Sequence, residues 1–107
     1  MESSKRDWKL FREKISTWQE NYMEKLVMEY AALLNDDLPA SSKFWELENR
    51  IKQDKKKPGV IINIRKQEML FEIIRLINDG AITMDDLSDF SDELRNQVNG
   101  FYKQNGG

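Results

Sequence analysis

The sequence predicts an all-α protein: a single-domain bundle of four to five helices, spanning residues 1–107 and built on a long N-terminal helix. Three observations carry this reading. First, Trp8, Phe11, Ile15, Trp18, Tyr22, Leu26, Tyr30 and Leu33 recur at steps of three and four. Their mean step of about 3.6 is the helical period, not the period of two of a strand. Second, five glycines and two prolines in 107 residues leave few forced breaks. Third, no two segments alternate apolar and polar residues as paired strands would. At 39% apolar and 34% charged residues the chain is too hydrophobic for disorder, and its charge suits helices with solvated faces.

The first helix is expected over about 4–34. Ser3 or Ser4 can cap its exposed N–H groups, and Asn35-Asp36-Asp37-Leu38-Pro39 stops it, because the residue before proline avoids helical backbone. Lys9, Arg12, Glu13 and Lys14 lie between the stripe residues, so the opposite face is wet. Such a helix spans about 40 Å and needs a partner for its stripe, either the rest of the chain or another copy.

Ser41 or Ser42 opens a second helix over about 43–55. Phe44, Leu47 and Ile51 form its apolar face, with Trp45 and Glu48 beside it. Lys55-Lys56-Lys57-Pro58-Gly59 ends it, and lysines in a last turn favour the negative end of the helix dipole. Val60-Ile61-Ile62-Asn63-Ile64 is β-branched and apolar. A lone strand would find no partner, so the stretch reads as the first turns of a third helix over about 60–78. Ile62, Met69, Leu70, Ile73, Ile74 and Ile77 face inward, and Gly80 follows as the left-handed residue beyond the end.

Thr83, three residues before Asp86, caps a short helix over about 83–89 that carries Leu87. Phe90 also belongs to this short helical segment, and Ser91 caps a last helix over about 91–102 with Leu94, Val98 and Phe101 inward; residues 105–107 are expected to fray. Leu76 to Leu87 resembles the helix–Gly–Ile-Thr–helix hairpin of short C-terminal domains appended to many bacterial proteins. That likeness consists of capping pattern and carries no family assignment.

Composition excludes several chemistries. The chain has no cysteine and no histidine, hence no disulfide, thiol nucleophile, Cys-ligated metal or histidine base. Asp85 to Glu93 fails the spacing of a calcium loop. Glu68 and Glu72 are flanked by Arg65, Lys66 and Arg75, as in ordinary surface pairing. Gly59, Gly80 and Gly100 make no phosphate loop. No catalytic residue, cofactor or metal ligand is therefore expected, nor an enzyme. The N-terminus lacks the apolar core of a signal peptide and no run is long enough to span a bilayer, so a cytoplasmic protein without a membrane partner is expected.

Charge is segregated beneath a net −2. Residues 43–66 carry eight basic side chains against three acids, and residues 78–99 carry six acids against Arg95. The two segments are expected to lie close together or to meet across an interface.

These features favour a non-catalytic helical module for protein binding or regulation: an adaptor, inhibitor or immunity-type protein of bacterial or phage origin. Its partner would be another protein or a second copy. Trp18, Tyr22 and Leu26 suit a core, whereas Trp8, Phe11 and Ile15 are the candidate partner-binding residues, at the end of a helix longer than its neighbours can cover. The alternative is nucleic-acid binding through Arg50, Lys52, Lys55, Lys56, Lys57, Arg65 and Lys66. An acidic pI of about 5.2 and the lack of a recognition-helix motif oppose it.

Overall fold

The structure, a computed structural model, describes residues 4–104, with side chains to Phe101. The tail at 105–107 and the alternative cap Ser3 lie outside the described residues. Among these residues the protein is all-helical and holds no strand. Four α-helices, α1 (Lys5–Leu34), α2 (Ala40–Asp54), α3 (Met69–Asn78) and α4 (Asp92–Gln104), are joined with 3-10 turns at Lys66–Glu68 and Met84–Leu87. The long dimension, 51 Å, is set by α1.

Helix α1 begins where Ser4 Oγ accepts the Asp7 N–H at 3.0 Å. Its stripe is buried from Phe11 through Ile15, Trp18 and Tyr22 to Leu26. The core joins the first part of this stripe to Met69, Ile73, Ile74 and Leu76 of α3, to Leu87 and Phe90 of the hairpin, and to Leu94 and Val98 of α4. Four rings run through it in series. Trp8 lies 6.0 Å from Phe11, Phe11 6.2 Å from Trp18 and Trp18 6.1 Å from Phe90. Separations of this size are favourable for offset and edge-on ring pairs.

The expectation of an overhanging N-terminal end is thereby corrected. Phe11 and Ile15 are buried and Trp8 is half-buried, because the hairpin and α4 fold back over this end of α1. Asp7 fixes the return: its carboxylate accepts the Ser91 N–H at 2.9 Å and the Ser91 hydroxyl at 2.6 Å.

The helix expected over 60–78 is corrected as well. It starts only at Met69, after a single 3-10 turn, and residues 61–65 carry no helix, strand, turn or bend. The run Val60-Ile61-Ile62 follows Pro58-Gly59, and its β-branched side chains lose rotamer freedom in a helix. Gly59 has its own reason to be glycine. A Cβ there would come within 2.8 Å of three ring carbons of Tyr22.

The C-terminal turns follow their capping residues. Gly80 takes φ 77°, and the N–H groups of Ala81 and Gly80 bond the Leu76 and Ile77 carbonyls, the Schellman pattern. Thr83 N–H donates to Asp86 Oδ2 at 2.8 Å, and the Thr83 side chain completes the box. The segment expected as a helix over 83–89 is only the 3-10 turn Met84–Leu87. Ser91 Oγ accepts the Leu94 N–H at 3.2 Å and so caps α4.

Candidate functional site

Helix α2 returns antiparallel along the second half of α1 and presents its polar row to it. Lys43, Leu47, Arg50 and Asp54 recur at three and four residues, and these are the positions that α2 buries or half-buries. Arg50 Nη2 donates to Glu29 Oε1 at 2.6 Å, with its guanidinium 5.6 Å from the Tyr30 ring centre. The Tyr30 hydroxyl donates to Asp54 Oδ2 at 2.5 Å, and Lys57 Nζ lies 3.4 Å from Asp54 Oδ1.

Burial, the bond to Asp54 and the charge of Asp54 push the Tyr30 hydroxyl up to about 12. Burial works against the Lys57 ammonium, but Tyr22, Asp54 and Asp79 outweigh it and raise its pKa. Asp54, although buried, is thus fully engaged within the chain.

The apolar row of α2 consequently turns outward. Phe44 is 63% and Trp45 65% exposed, packed edge-on to each other at 4.9 Å, and Ile51 is exposed on the same side as Phe44. A shallow groove of about 500 Å³ runs along this face, bounded by Phe44, Leu47, Glu48, Ile51, Lys52 and Lys55. It adjoins, through Ile51 and Lys55, a smaller hollow of about 210 Å³ over Met23, Val27 and Val60. Exposed aromatic and branched side chains in one stretch mark an interaction face more than scattered ones do.

The seven basic candidates divide into paired and unpaired side chains. Arg50 and Lys57 are held by Glu29 and Asp54. Lys52 and Lys55 rim the α2 groove, Lys56 follows, and Arg65 and Lys66 sit beyond the residue 60–64 stretch. These five are exposed, and none has an ion pair with an acid among the described residues. Of the other candidates, Trp8 lies beneath the Arg12 guanidinium at 5.4 Å, and Phe11 and Ile15 are core.

The two charged segments are joined by no ion pair among the described residues. The acidic one meets α1 instead, where Lys14 Nζ lies 3.3 Å from Asp89 Oδ2 and Arg6 donates to the Asp89 carbonyl at 2.7 Å. Across the two segments, Asp79 acts electrostatically on Lys57.

The outward face of α2 escaped the sequence reading because α2 carries two stripes, and either could turn inward. The available signal was Glu29 and Tyr30 on α1, one acid and one hydroxyl matched to Arg50 and Asp54. Among the described residues no three carboxylates gather as metal ligands, and no helix is long and apolar enough to cross a membrane. No protein-family model matches the chain, and no curated protein and no solved structure matches it.

Proposed function

We propose that this chain is a non-catalytic protein-binding or regulatory module, a small helical bundle that acts through the outer face of α2 and pairs there with a second copy of itself. The observation that carries this is the inversion of α2, with Phe44, Trp45 and Ile51 outside while Arg50 and Asp54 face α1. Each large apolar side chain left in water forgoes about 1.5–3 kcal/mol of burial, which a partner surface can recover.

The face is also self-complementary. Glu48 and Lys52 stand one turn apart on it, and neither has a partner among the described residues. An antiparallel two-fold crossing of α2 with its copy sets each Glu48 against the other Lys52 and closes the apolar side chains between them.

Charge exchange tests this. Glu48→Lys and Lys52→Glu should each weaken self-association, and mixing the two variants should restore it as a heterodimer. Failure of the mixture to associate would contradict the pairing. A second reading rests on the five exposed, unpaired cations Lys52, Lys55, Lys56, Arg65 and Lys66, which suit phosphates. It requires salt-sensitive binding to RNA or DNA, and a gel shift at low salt with no complex at micromolar protein would end it.

A further inference from the structure

Residues 61–65 run between the turn at Lys57–Val60 and the 3-10 turn at Lys66–Glu68 with no regular secondary structure of their own. The N–H groups of Val60 and Ile61 are both taken by the Lys57 carbonyl at 2.9 Å. Beyond them the main chain is open. Among the described residues, the N–H groups of Ile62, Asn63, Ile64 and Arg65 find no acceptor in the chain, and the carbonyls of Val60 to Ile64 accept no donor. Arg65 is fully extended, with φ −129° and ψ 136°.

Side chains alternate from Val60 to Asn63, and Ile64 departs from the pattern by being exposed. Val60 and Ile62 turn inward, Ile62 onto the core, while Ile61, 63% exposed, and Asn63 turn out. Ile62 anchors the segment, and its neighbours leave main chain and branched side chains free together. This combination is what a sheet edge offers to an added strand.

Charge selects what can be added. Lys55 and Lys56 precede the segment, and Arg65 and Lys66 close it; all four are exposed and without an acidic partner among the described residues. A second copy is repelled. Antiparallel self-pairing lays Arg65 and Lys66 of one chain beside the lysines of the other, and parallel pairing stacks like on like. An extended segment with acids at both ends is attracted at both.

We infer that residues 61–65 are a docking edge that captures an extended, acid-flanked peptide segment of another protein by main-chain hydrogen bonds, with the exposed Ile61 and Ile64 each meeting its side chains on one face of the added strand. Residues 61–65 do not line the α2 groove, although Lys55 borders both, and their main-chain bonds do not depend on self-pairing of α2.

The probes are short peptides of alternating valine and threonine, one bracketed by glutamates and one by lysines, titrated against the full chain. The glutamate form should bind at least about tenfold tighter than the lysine form. It should slow amide exchange at alternate residues between Ile62 and Arg65 while leaving α2 amides unchanged. Methylating alternate peptide nitrogens on the bonded edge should abolish binding. Reversing charge at Lys55, Lys56, Arg65 and Lys66 together should invert the preference; should that variant misfold, the two peptides on the unmodified chain still decide the matter. Absence of binding, equal affinity for both peptides, or protection confined to α2 would overturn the inference. So would a single-stranded oligonucleotide protecting Ile62 to Arg65 where the glutamate peptide does not.

Discussion

Asp7 on α1 holds Ser91 at the start of α4 with both carboxylate oxygens, across 84 residues of sequence. The carboxylate sits where α4 exposes its first N–H groups and positive dipole end, while Ser91 itself caps the helix. Burial opposes ionisation of Asp7, but the two bonds from Ser91, with help from Ser4 and Arg6, outweigh it and lower the pKa. One side chain thus closes the C-terminal segment over Trp8 and Phe11.

Asp7→Ala should cost about 2–3 kcal/mol, since it strands two donors at a buried site. The linkage sign follows from the lowered pKa: the contribution is complete above the unfolded value of about 3.9 and is lost as pH falls through the folded one. Denaturant melts below pH 4 should weaken the native chain more steeply than Asp7→Asn. Equal slopes would show that Asp7 is not ionised in the fold.

Tyr30 titrates at the opposite end of the scale. Its pKa is raised to about 12, so the stability it adds is complete below about 10 and is lost as pH climbs toward 12. Tyr22 and Lys57 are raised too and act in the same sense. Tyr30→Phe should lose about 1 kcal/mol at neutral pH and flatten the alkaline decline. An unchanged decline would place its cause elsewhere.

Glu72 is almost wholly buried on α3; one oxygen accepts from Arg75 at 2.7 Å and the other has no partner among the described residues. Glu72→Met should leave stability unchanged or raise it by about 1–3 kcal/mol, because Arg75 is exposed enough to return to water. Denaturant unfolding checks this, and a loss above about 1 kcal/mol would mean that the buried pair is net stabilising.

Gly59→Ala should cost about 1–3 kcal/mol through overlap with the Tyr22 ring. The penalty should shrink when Tyr22→Leu is combined with it, since the two sites share one contact. Additive losses would separate Gly59 from Tyr22.

Local chemistry made much of the fold readable. The α1 stripe, the Ser4 and Ser91 caps, the Thr83–Asp86 box and the left-handed Gly80 each act within a few residues of themselves. What depends on distant partners was not readable. Helix lengths alone left Trp8 and Phe11 uncovered, because nothing local to Asp7 announces Ser91. From sequence, Val60 to Ile64 reads as helix because no other segment offers it a strand partner. Its β-branched content points to extended chain, which Ile62 anchors on the core. The orientation of α2 turned on whether Arg50 and Asp54 would find Glu29 and Tyr30.

The most direct measurement for the proposed role is molar mass against concentration, by light scattering, for the native chain and for Phe44→Ser/Trp45→Ser. Both side chains are exposed, so the variant should keep its helicity and melting temperature. The native chain should move from monomer to dimer mass as it reaches high micromolar concentration, and the variant should stay monomeric. A native chain that remains strictly monomeric, or a variant that dimerises as well as the native chain, would contradict the assignment of the α2 face.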